Sequence, residues 1–137
     1  MNQMVSVSKR VALVLSVAFL MISTFVFGVG QASAETFTVK MGADSGMLKF
    51  DPSKVEVKPG DVVKFVNNKL PPHNVVFDKA KSPDADVAVK LSHKALLQKP
   101  GDSFEVAFTD DMPAGVYSYY CEPHRGAGMN AEIVLKK

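Results

Sequence analysis

The sequence predicts an all-β domain, a sandwich or barrel, on three observations. Apolar and polar residues alternate over most of the chain beyond residue 35, turn signals built on proline and glycine separate the alternating runs, and one stretch, 86–97, departs from the pattern. Thr36–Met41 places Phe37, Val39 and Met41 on one face. Lys54–Lys58 does the same with Val55 and Val57, and Asp61–Asn67 is rich in the valine and phenylalanine that strands favour. Between these two stands Lys58-Pro59-Gly60-Asp61. Proline presets φ at a turn's second position and glycine supplies positive φ at its third, so the tetrapeptide predicts a type II turn. It recurs as Lys99-Pro100-Gly101-Asp102, ahead of a strand with Phe104, Val106 and Phe108 on one face; the flanks differ, so the chain carries no internal repeat. Asn74–Phe77 is a short apolar strand, and Val116–Cys121 and Ala131–Leu135 complete the set. Asp86–Leu97 is expected to form one short helix or an irregular excursion.

The chain divides into two unlike parts. Lys9 and Arg10 precede an apolar run from Val11 to Phe27, followed by Ala32-Ser33-Ala34. A positive start, a hydrophobic centre and an A-x-A site are the pattern of a secretory signal, with cleavage expected after Ala34. The competing reading is a permanent anchor, but the run is short for a spanning helix and contains Ser16, Ser23 and Thr24. Residues 1–34 are therefore expected to be a cleaved signal peptide, and residues 35–137 a single domain large enough for one core.

Charge narrows the functional classes. Without Lys9 and Arg10 the chain's 16 Lys and Arg become 14, equal to its 14 Asp and Glu, all of which lie beyond residue 34. The signs alternate along the chain, as on a solvated surface, and no clustered basic patch for nucleic acid is present.

One cysteine, Cys121, stands alone in a chain expected to be exported, where cysteines usually pair. It opens a loop, Cys121-Glu122-Pro123-His124-Arg125-Gly126-Ala127-Gly128-Met129, that carries a thiolate, an imidazole and a thioether spaced Cys-x2-His-x4-Met. Pro123 restrains this loop, and Gly126 and Gly128 let it fold back, so all three groups can face one point. Taken singly, each residue is more often structural: a lone cysteine is usually a small buried hydrophobe, and a lone methionine is usually core. Their coincidence in one loop is what points to a metal. Thiolate and thioether suit copper, whereas structural zinc asks for four Cys and His ligands. The fourth ligand is expected from His73 in Leu70-Pro71-Pro72-His73-Asn74, where two prolines restrict the preceding backbone. His93 lies in the polar run Leu91-Ser92-His93-Lys94 and reads as a surface residue. Two histidines and a cysteine with a weak axial methionine form the blue-copper arrangement, so one copper ion is expected on His73, Cys121, His124 and Met129.

Over essentially all of residues 35–137 the chain resembles the plastocyanin family, in particular its cyanobacterial form. The resemblance is carried by Met41-Gly42-Ala43-Asp44-Ser45-Gly46, by Pro59-Gly60-Asp61, by Val66 through Asp78 and by Tyr119 through Met129. It implies a cupredoxin-like Greek-key β-sandwich of about eight strands with copper at one end. It implies a one-electron carrier, not an enzyme, that cycles between Cu(I) and Cu(II). Its implied partners are cytochrome f of the cytochrome b6f complex and photosystem I, met in transient complexes by a monomer in the thylakoid lumen. It also implies that the backbone N–H of Asn74 donates to the Cys121 sulfur. One departure is visible: after Met129 the family commonly continues Val-Gly-Lys, and here the sequence is Asn130-Ala131-Glu132.

An electron also needs an exit. Small or apolar residues expected near His124, namely Leu48, Leu70, Pro72, Gly126 and Ala127, form a candidate docking patch, with core packing of Leu48 and Leu70 as the competing reading. Strand alternation puts Tyr119 on the inner face with Cys121 and turns Tyr120 outward, where the family has a docking tyrosine. Arg125 is expected to be the main charged contact, with weak charge steering overall. Three alternatives remain. A copper enzyme would need a second metal centre, which three histidines do not supply. A donor to a respiratory or denitrification enzyme would use the same ligands. A copper storage or delivery protein would need an open, methionine-rich site.

Overall fold

In the computed structural model, residues 33–137 are described, and they form one unit. The expected export signal lies almost wholly outside them. Among the described residues no helix is long and apolar enough to cross a membrane.

The strands are β1 (Thr36–Met41), β2 (Phe50–Asp51), β3 (Lys54–Val57), β4 (Val62–Asn67), β5 (His73–Phe77), β6 (His93–Leu97), β7 (Ser103–Ala107), β8 (Gly115–Tyr120) and β9 (Asn130–Leu135). One sheet has the order β2-β1-β4-β7 and the other β3-β9-β8-β5-β6. The expected all-β sandwich is therefore the observed one. The sheets are mixed: β1 runs parallel to β4 and β3 parallel to β9, while the other pairs are antiparallel. Among the inward residues that alternation identified, Val39, Met41, Val55, Val57, Val106, Phe108 and Tyr119 are in the core, joined there by Val63, Phe65, Tyr117, Ile133 and Leu135. Phe50, Phe65 and Phe77 crowd around Tyr119 with ring centroids 4.8, 5.4 and 5.2 Å from it. β5 is buried along its whole length, and its apolar residues Val75, Val76 and Phe77 run consecutively without alternation.

Both Lys-Pro-Gly-Asp turns form as expected. Asp61 N–H donates to Lys58 O at 3.0 Å and Asp102 N–H to Lys99 O at 3.1 Å, with Gly60 and Gly101 at φ +97° and +92°. The first turn also anchors the start of the domain. The buried Asp61 carboxylate accepts from Lys58 N–H at 2.7 Å and from Glu35 N–H at 2.9 Å.

The described residues form nine strands where about eight were expected, and residues 86–97 hold the expected short helix with a strand besides. That stretch forms most of the helix, α1 (Ala85–Leu91), followed by β6. The Asp84 carboxylate caps α1 by accepting from Asp86 N–H at 2.8 Å and Val87 N–H at 2.9 Å. Ser92 ends it: its hydroxyl donates to Ala88 O and accepts from Phe77 N–H, tying the helix end to β5. β6 is a sheet edge whose central three residues are all exposed, so it has no alternation to read. β2 has two residues and no period at all.

Candidate metal centre

His73 opens β5, Cys121 directly follows β8, and His124 and Met129 lie in the loop between β8 and β9. The β8–β9 ladder ends at the pair Tyr120 and Asn130, and one more bond, Cys121 N–H to Met129 O at 3.1 Å, extends it. Two of the expected ligands are thus pinned to each other through the backbone. Inside the loop, His124 N–H donates to Cys121 O and Met129 N–H to His124 O, at 3.3 and 3.2 Å, around a 3-10 turn at Arg125–Ala127. The loop is held by its own backbone and cannot drift as a free segment.

The side chains converge. Cys121 Sγ is 3.6 Å from His73 Nδ1 and 3.5 Å from His124 Nδ1, and the two Nδ1 atoms are 3.1 Å apart. The point equidistant from these atoms is about 2.0 Å from each, the length of a first-row metal bond to imidazole. Three donors sized to one ion are therefore already in place. Met129 is fully buried in the same apolar cluster as Cys121. Its thioether adds a soft donor that zinc does not use, so the donor set fits copper.

The tautomer of His73 follows from its other nitrogen. Nε2 lies 2.6 Å from the Lys69 carbonyl oxygen, which can only accept, so Nε2 carries the proton and Nδ1 presents a lone pair to the site. Burial holds the His73 pKa below its ordinary value; the Lys69 carbonyl opposes this and neighbouring His124 adds to it. Burial also pushes the Cys121 thiol up, against the pull of N–H groups from Asn74 and His124 on its sulfur. Without metal, the site therefore favours a neutral imidazole and a protonated thiol; a bound cation reverses that preference for the sulfur.

The Asn74 backbone N–H, the expected donor to this sulfur, lowers the Cys121 thiol pKa against the effect of burial. The Asn74 side chain does more than the sequence suggested. It accepts from Glu122 N–H at 2.9 Å and donates to Glu122 Oε2 at 2.7 Å and to Lys94 O at 3.0 Å. Asn74 is fully buried and joins β5, β6 and the ligand loop. Nothing in the spacing of Asn74 and Glu122, far apart in sequence, announces this bridge.

The chain matches the model of the copper-binding proteins of the plastocyanin/azurin family over residues 37–136. It belongs to that family. It is 50% identical to the plastocyanin of Nostoc punctiforme over 130 residues, 93% of this chain and 94% of that one. Identity to the plastocyanin of Prochlorothrix hollandica is 41% over 131 residues, 96% of each. The solved oxidised plastocyanin from Dryopteris crassirhizoma matches at TM-score 0.61 and 31% identity, covering 72% of this chain and 99% of that one. A pseudoazurin from Methylobacterium extorquens matches at TM-score 0.54 and 32% identity, covering 74% and 76%. Family, fold and donor set agree on a cupredoxin-type copper protein and support a blue-copper electron carrier.

The other expected residues divide. Leu70 is 54% exposed, and Gly126 and Ala127 are also exposed, while Pro72 and His124 are half-buried. Leu48 is partly buried against the core, between its two readings. Tyr119 is buried and Tyr120 half-exposed, as alternation required. The Arg125 guanidinium stacks 3.9 Å over the Tyr120 ring and sits 3.8 Å from Asp78. His93 is not in the metal cluster; it is half-buried and stacked on Phe104 with centroids 4.2 Å apart. Met47, on the loop before Leu48, is 60% exposed.

Proposed function

We propose that this chain shuttles single electrons from cytochrome f of the cytochrome b6f complex to photosystem I, as a monomer in the thylakoid lumen. The observation that carries the reading is the convergence of His73, His124 and Cys121 on one point sized for a metal, in a chain half identical to a plastocyanin over nearly its whole length. We also propose that Met129 would supply the fourth, weak thioether donor to a bound copper, and that cleavage follows Ala34, just ahead of β1.

Bound copper supplies a one-electron couple, Cu(I)/Cu(II). The chain's own residues keep the geometry nearly the same for both states. Lys69 and Asn74 fix His73 and the sulfur environment, and the backbone of 121–129 fixes the rest, so little rearrangement accompanies a unit change in charge. Cys121 gives a polarisable covalent path from the site into β8 and toward half-exposed Tyr120. The half-buried His124 ring offers a second exit, with exposed Leu70, Gly126 and Ala127 and half-buried Pro72 and Leu48 as the docking surface proposed around it. Exposed apolar surface of this kind suits short-lived docking. Arg125, held between Tyr120 and Asp78, is the charged contact at its rim.

Flash photolysis tests the partners. Added to photosystem I particles, the reduced protein should accelerate re-reduction of the photo-oxidised chlorophyll pair in proportion to its concentration, with only modest salt dependence that Arg125→Gln weakens. No acceleration would overturn the reading and favour a donor to a respiratory or denitrification enzyme.

A further inference from the structure

The Lys69 carbonyl that fixes the His73 tautomer is itself held by contacts from a distant loop. Gly42 stands at the end of β1 with φ +84°. A Cβ there would fall inside the van der Waals envelope of the Lys69 carbonyl oxygen and 2.9 Å from the Lys69 carbonyl carbon and nitrogen. The two backbones touch so closely that no side chain fits between them.

Neither side can yield easily. Asn68 N–H donates to Met41 O at 3.0 Å, Asn68 Nδ2 donates to Gly42 O at 2.8 Å and to Asp44 Oδ1 at 2.9 Å, and Gly42 N–H donates to Lys49 O at 3.0 Å. These bonds continue the parallel β1–β4 ladder past its last pair, Met41 and Asn67. The bare Cα of Gly42 and the Asn68 amide therefore set where the Lys69 carbonyl points, and that carbonyl sets which nitrogen of His73 faces the site.

We infer that Gly42 and Asn68 are positioning residues for the metal centre, acting on His73 through the Lys69 carbonyl. The inference rests on the copper reading but concerns residues that do not reach the site. It also accounts for a glycine where any L side chain would meet backbone. Partners that orient a ligating histidine typically change metal affinity by about 10–100-fold when lost.

Gly46 supplies the control. It lies in the same loop with φ +85°, yet a Cβ there meets nothing within 4 Å. Gly42→Ala and Gly46→Ala thus share the backbone strain and differ in the push on Lys69. The test is Cu(II) affinity by chelator competition, together with solvent exchange of the His73 Nε2–H proton in metal-free protein by NMR. Gly42→Ala should lose about 10–100-fold in affinity and exchange that proton at least about tenfold faster. Gly46→Ala should lower the melting temperature and change neither. Asn68→Ala, which removes bonds without a clash, should move both readouts the same way by less, and decides the matter if Gly42→Ala does not fold. Equal effects of the two alanines at matched loss of stability, or an unchanged proton in Asn68→Ala, would overturn the inference. A wild-type protein that takes up no Cu(II) would instead overturn the copper reading, whatever the proton does.

Discussion

The centre of the sandwich and its metal end are built on opposite principles. At the centre, Phe50, Phe65, Phe77 and Tyr119 are packed by shape, and the Tyr119 hydroxyl finds no hydrogen-bond partner among the described residues. At the metal end, polar side chains are tied to their surroundings: His73 to Lys69, Asn74 to Glu122 and Lys94, and the Asn67 amide nitrogen to Leu97 and Lys99, although the Asn67 Oδ1 has no partner among the described residues. Apolar burial is non-directional and contributes stability, whereas hydrogen bonds to backbone fix position and contribute less each. The centre makes the fold stable and the end makes the site rigid, so damage to the two should separate.

The largest expected effect on stability is at the centre. Phe65→Ala should destabilise by about 3–5 kcal/mol, read by urea unfolding, with the copper spectrum of the remaining folded fraction unchanged. A spectrum that shifts with the cavity would show that the two regions are coupled. Next, Asn74→Ala strips three hydrogen bonds and leaves Glu122 N–H and Lys94 C=O without their partner. It should cost about 2–3 kcal/mol and, unlike Phe65→Ala, disturb the copper spectrum as well.

The metal-free protein sharpens the contrast through pH. The folded His73 pKa lies below its ordinary 6.5, so the unfolded state binds more protons as pH falls through that value, and stability drops there. The folded Cys121 thiol lies above its ordinary 9.0, so the folded state keeps a proton the unfolded state loses, and stability drops again as pH rises through that value. Melting temperature against pH should therefore peak between the two. Copper displaces the thiol proton, so its affinity should weaken as the solution is acidified. A metal-free profile that is flat across both limits would contradict this account.

The smallest effect has the opposite sign. Tyr119→Phe removes a buried hydroxyl without a protein partner and keeps the ring, so it should stabilise by about 1 kcal/mol in the same unfolding assay. A loss of stability would mean that the hydroxyl is satisfied after all.

The same contrast explains what could be read from the sequence. Alternation identified the inward faces of the longer strands, because a strand with one buried face has a period of two. The ligands were legible because thiolate, imidazole and thioether fall within one short loop. β6 was not legible, since an exposed edge carries no alternation, and α1 was blurred into it because its signals, Asp84 and Ser92, act at its ends. The supports of the site were also hidden. Gly42 and Lys69, or Asn74 and Glu122, meet only after the strands pair, and each contact runs through backbone or a single amide. The Tyr119 hydroxyl was hidden differently: alternation places the ring inside and says nothing of its oxygen.

The central claim is that His73, Cys121, His124 and Met129 hold one copper in a preset geometry, and the visible and EPR spectra of the Cu(II)-loaded protein test it most directly. The account predicts an intense blue thiolate-to-copper band with narrow copper hyperfine splitting, absent in Cys121→Ser and shifted in Met129→Leu. A colourless protein, or an ordinary square-planar copper signal, would contradict it.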